Sequence, residues 1–132
     1  MRKFSLILVS LICIGTARSQ PYSLDSIRNL LAKNKADTNA LKLMNNLAYG
    51  YVQFHPDSTY YFGRQEFLLA RQLNNFHYVS AGLLLMSIGF RQMGNYPKAL
   101  EYALRSLKIS EQKNLSDILP STTNEISSIY YF

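Results

Sequence analysis

Apolar side chains recur along this chain at steps of three and four residues. Val79, Leu83, Met86, Phe90 and Met93 form one such stripe, and Ala99, Leu100, Ala103, Leu104 and Leu107 form another. Leu41, Met44, Leu47, Ala48 and Tyr51 make an earlier one, followed by Tyr60, Gly63, Phe67 and Ala70. Each set fits one face of a 3.6-residue helix and not the alternation of a half-buried strand. The residues between the stripes agree. Gly94 suits the left-handed conformation that ends a helix, Asn95 can cap the next, and Pro97 falls in a first turn where a missing N–H costs nothing. Pro56-Asp57-Ser58 marks the same point earlier, Ser116-Asp117 with Pro120 opens a last helix, and Asp25-Ser26 and Asp37-Thr38 are further cap signals. The pattern predicts helices near 24–34, 38–54, 57–73, 76–93, 96–112 and 116–132, with connections of two to five residues. Connections that short force antiparallel neighbours, so the expected class is all-α, a stack of antiparallel helical hairpins.

The stripes also repeat on a longer scale. Leu47-Ala48-Tyr49-Gly50-Tyr51, Met86-Ser87-Ile88-Gly89-Phe90 and Ile126-Ser127-Ser128-Ile129-Tyr130 each read large apolar, small, two variable residues, aromatic. Their first residues are 39 and then 40 positions apart. A period of that length, with two helices in each unit, is the mark of a repeat array.

Composition changes the picture mainly at the N-terminus. Arg2 and Lys3 precede the uncharged, mostly apolar run Phe4–Ala17, and Ala17 and Ser19 stand two apart, as small residues do before a signal-peptidase cut. The expectation is a signal peptide at 1–19 with cleavage before Gln20; the alternative is that the run stays as an uncleaved anchor. Cys13, the one cysteine, lies inside the run after Ile12 and is read as an apolar residue discarded with it, not as a lipid-bearing one. The localisation expected is export across the inner membrane, to the periplasm. Removing Arg2, Lys3 and Arg18 leaves 11 basic against 8 acidic side chains, spread along the chain without the clustered stripe that nucleic-acid binding requires.

From Gly94-Asn95-Tyr96-Pro97-Lys98-Ala99-Leu100-Glu101 onward the chain resembles the turn and second helix of a tetratricopeptide repeat (TPR), in a variety of roughly forty residues. Leu83, Met86, Ser87 and Phe90 hold the family's first-helix places. Ala99 and Ser106 hold its small-residue places in the second, and Ala103 replaces an aromatic. Leu47, Ala48 and Tyr51 fit in the first unit, where Thr59 and Glu66 stand at small-residue places; Ile126, Ser127 and Tyr130 fit in the third. The resemblance implies a right-handed TPR-like α-solenoid. It divides the chain into a leader helix at 20–37 and an array at 38–132, with repeats at 38–74 and 75–114 and the first helix of an incomplete repeat at 115–132. Asp25-Ser26-Ile27, Asp37-Thr38 and Pro56-Asp57-Ser58 also resemble secreted arrays that form the sensory front of longer bacterial signalling proteins, ahead of a membrane helix and a histidine kinase or helix-turn-helix regulator.

No residue set reads as catalytic, cofactor-binding or metal-binding. His55 and His77 are 22 positions apart, and Asp25, Asp37, Asp57 and Asp117 all sit where helix caps are expected. The chain is therefore read as a non-enzymatic module without a cofactor. By the resemblance, the first helix of each repeat lines a concave groove for a protein or an extended peptide. Lys42, Asn45, Tyr49 and Gln53 face it from the first unit, Leu84, Ile88, Arg91 and Gln92 from the second, and Asn124 and Tyr131 from the third. Nucleic acid is not an expected partner. At the C-terminal end the repeat phase makes Ile126 and Tyr130 pack inward and leaves Ile129, Tyr131 and Phe132 exposed, so self-association or continuation into further repeats is expected there.

Overall fold

The computed structural model describes residues 24–33 and 36–131, so the expected signal peptide at 1–19, Cys13 and Phe132 lie outside the described residues. Six helices follow one another: α1 (Leu24–Lys33), α2 (Thr38–Tyr51), α3 (Pro56–Gln72), α4 (Phe76–Gln92), α5 (Tyr96–Gln112) and α6 (Leu119–Tyr130). The described residues contain no strand.

The three central helices are 17 residues each and begin at 56, 76 and 96. The turns between them share one construction. Asn74, Gly94 and Asn114 take positive φ values of 52°, 79° and 53°. The next residue's N–H then reaches back five residues, from Asn75 to Ala70, from Asn95 to Phe90 and from Leu115 to Ser110, at 2.8–2.9 Å. This arrangement satisfies helix-end carbonyls that would otherwise be orphaned, and glycine and asparagine are the residues that tolerate its left-handed step. Asn95 then caps α5 through Lys98 N–H, and Asn75, which the pattern of stripes did not single out, caps α4 through Tyr78 N–H. Of the four aspartates read as caps, Asp37 does cap α2, accepting from Ala40 N–H at 3.0 Å. Asp57 lies within α3, whose capping position is His55 with no side-chain bond.

Consecutive helices pack as hairpins, while α2 touches α4 and α4 touches α6. The first helices of successive units thus form one continuous layer. Among the described residues α3 and α5 make no comparable contact, so the second layer is splayed. This is the architecture of a TPR-like helical solenoid. α4 lies at its centre and is buried without interruption from Val79 to Ser87. Its small residues set the spacing. A Cβ on Gly82 would lie 2.8 Å from both the Gly63 carbonyl oxygen and the Phe67 nitrogen. On the other side of α4, fully buried Ser80 shares hydrogen bonds with Ser106 at 2.8 Å and Ser110 at 2.6 Å, and Ser106 reaches Thr122 of α6 at 3.2 Å. No buried side-chain nitrogen or oxygen among the described residues lacks a hydrogen-bond partner.

The third unit corrects the sequence reading. α6 begins at Leu119 with no side-chain cap, because residues 116–118 form a separate turn that seats Ile118 in the core. The residues it turns inward are Ile118, Thr122, Glu125 and Ile129, 39 positions after Val79, Leu83, Met86 and Phe90. Ile129 is therefore buried against Ala99 and Ala103, not waiting for a partner, and Tyr130 is exposed, not packed inward. Ile126 is half-buried as expected, and Tyr131 is exposed.

Candidate functional site

α2, α4 and α6 form the layer of first helices. A cavity of about 170 Å³ opens on it, lined by Asn45 and Tyr49 of α2, His77, Ala81 and Leu84 of α4, and Asp117, Ile118 and Ser121 before and within α6. Ala81, Leu84 and Ile118 make an apolar floor, with Ile88 and Leu115 packed against it. Tyr49 stands at the side with 47% of its surface exposed.

Of the residues expected to face a groove, Asn45, Tyr49 and Leu84 come together at this cavity. Lys42, Gln53 and Asn124 are exposed elsewhere and do not line it. Ile88 supports the floor from below. Gln92 donates its amide to the Val52 carbonyl, tying the end of α4 to the end of α2. Tyr131 is exposed past the end of α6. Arg91 is not a free groove residue. Its Nε donates to Glu125 at 2.9 Å, and Glu125 also accepts from Ser87 at 3.3 Å. Glu125 is only 5% exposed, so the pair locks α4 to α6.

Sequence reasoning missed His77, Ala81, Asp117, Ile118 and Ser121. The first two continue the spacing of Leu84 and Ile88 toward the N-terminus of α4, so extending that stripe by two positions would have reached them. Asp117 could not be found that way. Its place suggests a cap, yet its Oδ2 lies 2.6 Å from His77 Nε2, which ties the start of α4 to the turn before α6 beside the cavity. The hydrogen bond from His77 holds the Asp117 carboxyl below its ordinary pKa.

Beneath this layer lies a second carboxylate. Glu66 stands where the repeat uses a small residue, and it is fully buried. Asn45 Nδ2 lies 3.0 and 3.2 Å from its two oxygens. Burial pushes the Glu66 pKa well above the ordinary value, and the Asn45 hydrogen bond only partly opposes this. Burial also raises the Tyr49 hydroxyl, helped by Glu66 and Glu125. A carboxyl whose folded pKa is raised stays protonated in the fold while the unfolded chain releases its proton. Its contribution to stability is therefore complete below the ordinary carboxylate range and is lost as pH rises toward the raised value. The slope across that window reaches about 1.4 kcal/mol per pH unit. Urea unfolding followed as pH rises from the ordinary carboxylate range is expected to show this decline, and Glu66→Gln to flatten it.

Among the described residues no group of three or more His, Cys, Asp and Glu side chains is placed to hold a metal ion. None of the described helices is long and apolar enough to cross a membrane. The arrangement offers a floor for an apolar side chain, a tyrosine edge, and the polar groups of Asn45, His77 and Ser121 for a backbone or polar side chain. A family model described as the SusR N-terminal TPR domain matches residues 18–120. No curated protein and no solved structure matches the chain significantly.

Proposed function

The chain belongs to the family of SusR N-terminal TPR domains, and from this we propose that it is a non-enzymatic module that holds an extended peptide or protein segment on its concave wall. The observation that carries the reading is the cavity between α2, α4 and α6, where an apolar floor, the exposed Tyr49 edge and hydrogen-bonding groups lie within one side chain's reach. Asn45 and Tyr49 contact the ligand from α2, Ser121 from α6, and Leu84 sits under it. Lys42, Gln53 and Asn124 extend the surface along the wall.

The test begins with a peptide library selected against the protein. Tyr49→Ala and Ser121→Arg are expected to weaken the selected peptides about tenfold, with a melting curve showing that each variant remains folded. Binding that survives both substitutions places the peptide elsewhere and defeats the proposal.

A second reading has its own support. The family's description places such a domain at the N-terminus of its namesake, and the matched span begins at residue 18, two residues before the expected cut. We infer an exported, periplasmic module that acts as the sensory front of a transmembrane signalling protein, a histidine kinase or a helix-turn-helix regulator. N-terminal sequencing of the exported protein is expected to begin at Gln20. A retained leader would overturn the cleaved form of this reading. Exposed Tyr130 and Tyr131, in place of Ile129, offer the edge for self-association or a following helix. Ultracentrifugation of the protein beside Tyr130→Glu with Tyr131→Glu reads that directly, and equal monomeric behaviour of both counts against it.

A further inference from the structure

The splay between α3 and α5 leaves a second cleft, on the face opposite the layer of first helices. Its volume is about 500 Å³, and it is lined by Phe67, Arg71, Asn74, Phe76, Val79, Arg105 and Ile109. Two cations line it, and a third lies over one of its rings. The guanidinium carbons of Arg71 and Arg105, one from each splayed helix, lie 5.6 and 5.9 Å from the centroid of the same Phe67 ring. Lys113 Nζ lies 4.0 Å from the centroid of Phe76, which lines the same cleft. No carboxylate lines it. Glu101, one turn before Arg105, is engaged by Lys98 at 2.8 Å. Among the described residues neither Arg71 nor Arg105 makes an ion pair or a side-chain hydrogen bond.

A guanidinium near an aromatic ring that makes no ion pair or side-chain hydrogen bond has N–H donors available to form a fork with an oxyanion. Arg105 also lies 5.4 Å from the Tyr102 centroid and feels the charge of Glu101, which Lys98 shares. The two guanidinium groups at the cleft thus outnumber the acid near them, and an anion completes the arrangement. The apolar surfaces of Phe67, Phe76, Val79 and Ile109 are matched by an apolar body attached to that anion. The volume falls in the range of small-molecule sites and not of an extended groove. We propose that this cleft is a binding site for a small organic anion, a carboxylate or phosphate on an aromatic or compact aliphatic body, with Arg71 and Arg105 gripping the oxyanion and Phe67 and Phe76 flanking the body. The site is separate from the concave wall, so its occupant and a concave-wall peptide do not compete for the same residues.

The test is an amide NMR titration of the protein with phenyl phosphate at low and high salt, beside benzyl alcohol, inorganic phosphate and a capped Asp-Glu tetrapeptide. Phenyl phosphate is expected to shift amides in 67–79 and 105–113, to weaken as salt rises, and to bind about tenfold or more weakly to Arg71→Gln with Arg105→Gln. A melting curve confirms that this variant is folded, and Arg105→Gln alone serves if it is not. Undiminished binding by the folded variant overturns the proposal. So does benzyl alcohol or inorganic phosphate binding as tightly, since either shows that one half of the pairing does nothing. Tighter binding of the tetrapeptide makes the cleft a peptide site and also overturns it.

Discussion

Gly82→Val is expected to cost about 3 kcal/mol or more of stability, because inserted atoms in this core meet backbone and not yielding side chains. A Cβ at Gly82 already lies 2.8 Å from the Gly63 oxygen and the Phe67 nitrogen, and a Cβ at Gly63 would lie 2.7 Å from Leu85 Cβ. α3 and α4 must move apart to accept it. Gly89 is held the same way, with the Pro56 oxygen and Tyr60 Cβ both at 2.9 Å. Separating this pair also disturbs α2, which packs on both α3 and α4. Thermal unfolding followed by circular dichroism should show a fall of more than about 10 °C, at the usual few degrees per kcal/mol for a chain of this size. Gly94→Asn is the matched control. A Cβ there meets nothing within 4 Å, and Asn74 and Asn114 already occupy the equivalent places with positive φ. Its melting temperature should stay within a degree or two of the parent's, at a few tenths of a kcal/mol. A mild Gly82→Val phenotype would mean that the close crossing of α3 and α4 is not what sets the spacing of the layers.

Arg91→Ala is expected to destabilise by about 3 kcal/mol, since it strands the buried Glu125 carboxylate with Ser87 as its remaining partner. Replacing both ends, as Arg91→Met with Glu125→Leu, should recover most of that loss, because a buried ion pair contributes little beyond an apolar pair of similar volume. Urea unfolding of the single and double variants measures both quantities. The outcome decides between two roles for Arg91. A loss of a few tenths of a kcal/mol would return it to the solvated groove that the family resemblance implies for it.

That reversal shows which parts of the molecule were legible in its sequence. The helices and their order follow from apolar stripes and from turn residues such as Gly94 and Asn95, which act locally. The hairpin stack follows from short connections. The phase of α6 does not. It depends on the extra turn at 116–118, and three successive residues there carry no signal separating a cap from a turn. The aromatic and small residues of 126–130 matched the repeat at an interval of 40, whereas packing uses 39. Glu66 was legible as a misfit and not as a buried acid, because its partner Asn45 is 21 positions away on another helix. Asp117 reads as a cap in the sequence because its partner, His77, is 40 positions away. Of the residues that the family resemblance implies for the groove, Asn45, Tyr49 and Leu84 line one cavity. The resemblance assigns Arg91 to the groove because it identifies the face of a helix and not the charge on the neighbouring one, here Glu125.

The position of a bound peptide tests the functional reading most directly. A library-selected peptide would be titrated into isotope-labelled protein and every shifted amide mapped. Binding on the concave wall is expected to move resonances of residues 42–53, 77–92 and 117–124, in α2, α4 and the start of α6, while 61–72 and 98–112 of α3 and α5 stay still. Shifts concentrated on α3 and α5, with Tyr49, Ala81 and Ser121 unmoved, would contradict it.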